Sequence, residues 1–353
     1  MRVAISTGGG DAPGLNAVIR AAVLAGIHRG WEMLGIEKGF GGLLGEGRVL
    51  PLGPREVRGI THRGGTILGT SNRGNPFKWP RRANGDQWIE VDRSADVVAA
   101  FKEHQLDALI VVGGDGSLHI ANQLCALGVP IVGVPKTIDN DVGGTLLTFG
   151  FDTAVSTASE AIDKLHSTAE SHSRVMVVEL MGRDAGWITL NAGLAGSADV
   201  ILIPEIPFNI DRVCDKIRER EGAGLHFSIV VVAEGAKPLG GDVTFKEPGR
   251  LGGIAERVAH VISEKTGKET RTVALGHLQR GGSPTAFDRL LALRFGAQAI
   301  RAVADRRFGH MVAYAPPTVT TVRLEEALQN PKRVPLDSDS IQTARDLGIS
   351  LGD

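Results

Sequence analysis

Short runs of β-branched and apolar residues alternate along the chain with longer stretches in which apolar positions recur at helical spacing. Strands are predicted at residues 3–6, 108–112, 131–134, 175–179, 200–203, 228–233 and 272–275, each followed by a glycine-rich or polar turn. Helical periodicity is clearest at 15–28, 95–103, 153–169, 212–220, 254–265 and 287–304. This alternation predicts an α/β fold of largely parallel sheets with helices on both faces. Each half carries its own run of strand-helix units, so two similar doubly wound lobes with a cleft between them are expected. Residues 1–150 with about 279–329 would form one lobe, and 151–278 with about 330–353 the other. Two stretches lack periodicity, 74–87 (GNPFKWPRRANGDQ) and 235–253, and both read as loops, the first near the cleft.

Composition narrows the partners. With 353 residues, 42% hydrophobic and 22% charged, the chain can bury two cores. A net charge of -1 supplies no basic stripe for nucleic acid and no polybasic patch for a membrane. The start, MRVAIST, enters a strand-like run at once and lacks signal-peptide features, so a cytoplasmic protein is expected. Its apolar runs are far shorter than the roughly 20 residues that a membrane helix needs. Cys125 and Cys214 have no close CxxC spacing and read as buried free thiols.

In doubly wound sheets, ligands lie beyond the carboxyl ends of the strands, so the turns there carry the chemistry. The first strand runs into Gly8-Gly9-Gly10-Asp11-Ala12-Pro13-Gly14 and then a helix. Such glycines let backbone N–H groups approach a phosphate, and the helix N-terminus adds a favourable dipole. The spacing is not the GxGxxG of a dinucleotide site. After the strand ending near Val112 comes Gly113-Gly114-Asp115-Gly116-Ser117 and another helix. A carboxylate among phosphate-binding glycines suits Mg²⁺ held against a polyphosphate; a helix cap would use the same residues. The next strand delivers Pro135-Lys136-Thr137-Ile138-Asp139-Asn140-Asp141. Two acids at i and i+2 can divide the work between proton acceptor and metal or water anchor. Downstream, Arg174, Arg183, Arg271, His277 and Arg280 stand beside strand ends and form an expected anion-binding set, and Glu234 ends another strand.

At these residues the sequence resembles the phosphofructokinase family, from residue 3 to about 307. GGDAPGLN, RGGTILGT, GGDGS, PKTIDND, ESHSRVMVVELMGR, ETRTVALGHLQRGGSP and FDR occur in the family's order. The resemblance implies that Gly10, Arg73, Gly114, Asp115, Gly116, Ser117 and Lys136 bind the phosphoryl donor, with Mg²⁺ on Asp115. It implies Asp139 as general base, supported by Thr137, Asp141 and Arg183. Met181, Gly182, Arg183, Glu234, His277 and Arg280, with Thr137 and Asp139, would bind fructose 6-phosphate. Arg174 and Arg271 look like residues that family members lend to a neighbouring subunit's site, which implies a homotetramer or a homodimer with shared sites.

Two positions point to different donors. In the family, Gly after the GGD aspartate leaves room for the α-phosphate of ATP, and Gly116 matches that. Lys136 is typical of pyrophosphate users, and Ile120 stands where many short ATP enzymes have Gly. Sterics favour ATP, with pyrophosphate as the alternative. The family's effector site is rich in Arg and Lys, whereas Leu24, His166 and Gly222-Ala223-Gly224 stand here, with Arg20 kept. That argues against control by ADP or phosphoenolpyruvate through this site. Residues around 237–252 are extra relative to the short bacterial enzymes. NAD and lipid kinases share a GGDG loop but lack the PKTIDND and GHLQRGG segments, and a silent sugar-phosphate sensor would not need Asp115, Asp139 and Asp141.

Overall fold

The computed structural model describes residues 1–71, 74–82 and 88–353. By its contacts the chain divides into two units. One comprises Met1–Ile138, Val142–Asp152 and Arg280–Pro331; the other comprises Asp139–Asp141, Thr153–Gln279 and Lys332–Asp353. The short piece Asp139–Asp141 thus counts with the second unit, although the segments on both sides of it belong to the first.

The first unit is built on a seven-stranded sheet in the spatial order Thr318–Arg323, His310–Ala315, Ile131–Pro135, Ala108–Gly113, Arg2–Thr7, Glu32–Ile36, Val49–Pro51. Neighbouring strands are parallel except for the outermost pair at each edge. The central strands are buried on both faces, so alternate residues feed separate cores. Val3, Ile5, Ile110 and Val112 join a core with the helices Leu15–Ile27 and Ala286–Ala304. Ala4, Leu109 and Val111 join another with Val97, Phe101, Leu118 and Leu124. Each large side chain so buried contributes about 1.5–3 kcal/mol. On the first face the two helices approach so closely that a Cβ on Gly296 would lie 2.5 Å from the carbonyl oxygen of Val18.

The second unit holds a four-stranded parallel sheet ordered Thr270–Ala274, Val175–Leu180, Ser228–Ala233, Val200–Leu202. Val175, Val177, Val230 and Val232 face Val213, Ile217, Val258 and Ile262 of the helices Ile210–Gly222 and Ile254–Thr266. On the opposite face Gly193 of the helix Trp187–Ala195 lies against Ile201.

The α/β class and the two lobes with largely parallel sheets hold, and the seven strands marked by the sequence pattern all form. The two stretches read as loops need correction. Trp79–Arg82 pairs antiparallel with Trp88–Val91, anchored by Trp79, which is buried. Phe245–Glu247 pairs with Arg250–Leu251 as a small exposed hairpin within the extra segment. Both pairs are too short to show a period in sequence. Cys125 is half-buried and Cys214 buried, and both are free, with burial pushing each thiol up. Among the described residues no helix is long and apolar enough to cross a membrane.

Candidate active site

The order in which the chain fills the large sheet reverses at Arg2–Thr7, whose parallel neighbours are Glu32–Ile36 on one side and Ala108–Gly113 on the other. Such a switch point leaves a crevice beyond the carboxyl ends of the two central strands. Both glycine turns lie there. Thr7 is in register with Val112, and the N–H of Gly8 donates to the Val112 carbonyl at 2.9 Å. Gly14 takes φ 110 to start its helix, and a Cβ on it would meet Phe149 at 2.7 Å.

In the second turn Gly114 precedes the helix Asp115–Ala126, which places Asp115 in its first turn beside unpaired backbone N–H groups. The Asp115 carboxylate is half exposed, and His119, one helical turn on, brings Nε2 to 3.4 Å from it. That i, i+4 spacing is legible in the sequence, although the glycine motif alone does not mark His119. Ser117 turns back between the strands, with Oγ 2.8 Å from the place a Cβ on Gly8 would take. A Cβ on Gly116, by contrast, would meet nothing within 4 Å among the described residues. Gly116 opens on a cavity of about 260 Å³, also lined by Gly8, Gly9, Lys38, Phe40, Ser117 and Ile120.

Lys136 ties the two glycine turns together. It is buried; its N–H donates to the Gly113 carbonyl at 2.9 Å, and its ammonium donates to the Gly10 carbonyl. Thr137 follows, buried, its carbonyl accepting from the Thr148 hydroxyl at 2.8 Å. Arg280 reaches the first turn as well, donating to the Asp11 carbonyl at 3.2 Å with its guanidinium against Gly10. The first unit therefore gathers Gly10, Gly114, Asp115, Gly116, Ser117, Lys136, Thr137 and Arg280. Arg73, the remaining expected donor contact, lies outside the described residues.

In the second unit, Met181, Gly182 and Arg183 follow the strand Val175–Leu180, and Glu234 follows Ser228–Ala233. These turns are locked to each other. Glu234 N–H donates to Leu180 at 2.8 Å and Gly235 N–H to Gly182 at 3.1 Å, and a Cβ on Gly235 would overlap the Arg183 carbonyl. Arg183 is left 68% exposed, with Asp184 at 3.8 Å. His277 follows Thr270–Ala274, the neighbouring strand, so it emerges at the same end of the sheet.

Within one chain Arg174 and Arg271 stand apart from this group. Arg174 precedes Val175, and Arg271 pairs in register with Met176, so both sit at the amino ends of parallel strands. Five strand steps of about 3.3 Å put roughly 17 Å between the two ends. There both guanidiniums bind Glu269, Arg174 at 2.9 Å, and the Arg174 hydrogen bond leads in holding that carboxyl below its ordinary value.

Asp139 and Asp141 flank Asn140, which is buried in a left-handed conformation, φ 52. Lys332 donates its N–H to the Asp141 carbonyl at 2.8 Å and its ammonium to Asn140 Oδ1 at 2.9 Å. Burial brings the Lys332 pKa down to about 8, against the opposing pull of Asp141. Elsewhere, Arg20 donates to the Val57 carbonyl at 2.7 Å, and His166 Nε2 is 2.7 Å from the Gly196 carbonyl.

Among the described residues no group of three or more His, Cys, Asp or Glu side chains is assembled for a metal. A lone, half-exposed Asp115 at a helix N-terminus fits Mg²⁺ that takes its other ligands from phosphates and water.

A sequence model described as Phosphofructokinase matches residues 2–303. An ATP-dependent 6-phosphofructokinase of Chloroflexus aurantiacus is 53% identical, covering 100% of this chain and 98% of its own. A pyrophosphate–fructose 6-phosphate 1-phosphotransferase of Amycolatopsis mediterranei is 51% identical over 96% of this chain and 97% of its own. Among solved structures, the phosphofructokinase of Pichia pastoris in the T-state superposes with a TM-score of 0.82 at 32% identity, over 99% of this chain and 37% of that longer one. With glycine turns at the sheet's switch point and full-length relatives at this level of identity, the chain belongs to the phosphofructokinase family.

Proposed function

We propose that the chain transfers the terminal phosphoryl group of ATP to the C1 hydroxyl of fructose 6-phosphate, forming fructose 1,6-bisphosphate. The space at Gly116 is the observation that carries the choice of donor. Among the described residues nothing lies within 4 Å of its Cβ position, and it borders a cavity of about 260 Å³. The 53% identical Chloroflexus relative, named as ATP-dependent, supports the same donor.

In this reading the backbone of Gly10 and Gly114 to Ser117, with Lys136 and Arg73, binds the donor. Mg²⁺ held by Asp115 would neutralise charge on the phosphates. Asp139 accepts the C1 hydroxyl proton as that oxygen attacks the terminal phosphorus in line. Thr137 and Asp141 support the turn that carries Asp139. Arg183, Met181, Gly182, Glu234, His277 and Arg280 bind the sugar phosphate, guanidinium groups matching phosphate oxygens two at a time. Arg174 and Arg271, at the far end of their sheet, would serve the site of a neighbouring copy in a homotetramer or homodimer.

Pyrophosphate is the second reading. Lys136 beneath the glycine turns and the 51% identical Amycolatopsis relative favour it. Ile120, at the place where many short ATP enzymes of the family have Gly, lines the same cavity as Gly116. Fructose 1,6-bisphosphate formation, followed in parallel with ATP and with pyrophosphate, decides between them. Higher kcat/KM with ATP is expected; a large preference for pyrophosphate would reverse the assignment.

A further inference from the structure

Lys332 lies beyond the matched residues 2–303 and 192 positions from Asn140 along the chain, yet its two nitrogens bind two of the three residues of the Asp139–Asp141 turn. We infer that Lys332 is a positioning residue for the reaction, holding the turn so that the Asp139 carboxylate is presented to the acceptor hydroxyl. This rests on the reading of Asp139 as the base.

Asn140 is the point of leverage. A left-handed backbone at a non-glycine residue is uncommon and persists where its surroundings hold it. The Asn140 side chain is buried and accepts the Lys332 ammonium at 2.9 Å, while the Asp141 carbonyl accepts the Lys332 N–H at 2.8 Å. The Asn140 side-chain amide and the Asp141 carbonyl are therefore held from one residue.

Lys332 is itself held. Its carbonyl accepts from Trp187 Nε1–H at 3.2 Å, and its ammonium lies 5.5 Å from the centroid of the Trp187 ring. Two residues on, Val334 N–H donates to Glu205 Oε1 at 2.9 Å, and the same carboxylate accepts from Gly186, next to Trp187. The turn is thus fastened, through Lys332, to the start of the helix Trp187–Ala195. A general base works only within hydrogen-bond reach, and a misplacement of about 1 Å can cost on the order of 100-fold.

Lys332→Met keeps the length and apolar stem but removes the ammonium. Asn140→Gly removes the acceptor while keeping the left-handed backbone accessible. Each is expected to lower kcat by about tenfold or more while both KM values stay within about threefold, since substrate binding is untouched. The double variant should be no slower than the slower single, because both remove one link. Either single variant with kcat within twofold of wild type, or losses that multiply in the double, overturns the inference. Should Lys332→Met fail to fold, Asn140→Gly carries the test alone. Asp139→Asn is run beside them. If it keeps wild-type kcat, the reading of the base fails; if it collapses while the other two are unaffected, only the role of Lys332 fails.

Discussion

Ser117 Oγ stands 2.8 Å from the position a Cβ on Gly8 would occupy, so the two glycine turns are fitted to each other through one hydroxyl. Gly8→Ala is therefore expected to lower the thermal midpoint and to weaken donor binding, at an overpacking cost of about 1–3 kcal/mol. Removing the hydroxyl with Ser117→Ala leaves the nearest remaining contact at 3.4 Å. The double variant should recover part of the stability lost in Gly8→Ala, with a coupling of about 0.5 kcal/mol or more. Strict additivity of the two midpoint shifts would contradict this fit.

Gly116 gives the opposite expectation for stability. Its Cβ position is open among the described residues, so Gly116→Asp should leave the thermal midpoint within about 1 °C of wild type, as surface substitutions do. A carboxylate in the space reserved for a third phosphate should nonetheless cut kcat/KM for ATP by about 100-fold or more, from steric and like-charge conflict. Kinetics with both donors check it, and unchanged use of ATP would remove the steric basis for that donor.

Arg271 and Arg174 share Glu269 at the amino ends of their strands. Arg271 is half exposed, so its ion pair contributes less than about 1 kcal/mol. Arg271→Ala should hence leave the thermal midpoint nearly unchanged. It should still raise the KM for fructose 6-phosphate by about tenfold, as loss of a guanidinium–phosphate contact would. A variant with normal KM would show that Arg271 serves no sugar-phosphate site.

Burial holds the Lys332 pKa near 8, below its ordinary 10.5. Between these values the unfolded chain binds the proton more strongly, so the free energy of unfolding rises with pH across this window, by up to roughly 1.4 kcal/mol per unit. Urea unfolding at pH 7.5 and 9.5 should show wild type gaining on Lys332→Met as pH rises. A constant gap between the two would mean that Lys332 keeps an ordinary pKa.

Much of this was legible in the chain's own pattern. Buried parallel strands such as Ala108–Gly113 announce themselves as unbroken apolar runs, and the turns after them carry GGDGS and PKTIDND. The strands Glu32–Ile36 and His310–Ala315 did not stand out, because each depends on pairing with a distant neighbour more than on local pattern. The helix Trp187–Ala195 does not stand out because its own residues are mostly small or apolar, which leaves no amphipathic stripe. Local sequence also cannot report contacts of long range. Lys332 against Asn140 is such a contact, whereas the separation of Arg174 and Arg271 from Arg183 is readable from the end of the strand that each one flanks.

The kcat of Asp139→Asn at saturating ATP and fructose 6-phosphate tests the proposed chemistry most directly. Loss of general-base help predicts a fall of roughly 10²- to 10⁴-fold with little change in either KM. Turnover close to wild type would contradict the assignment of Asp139 as the group that takes the hydroxyl proton.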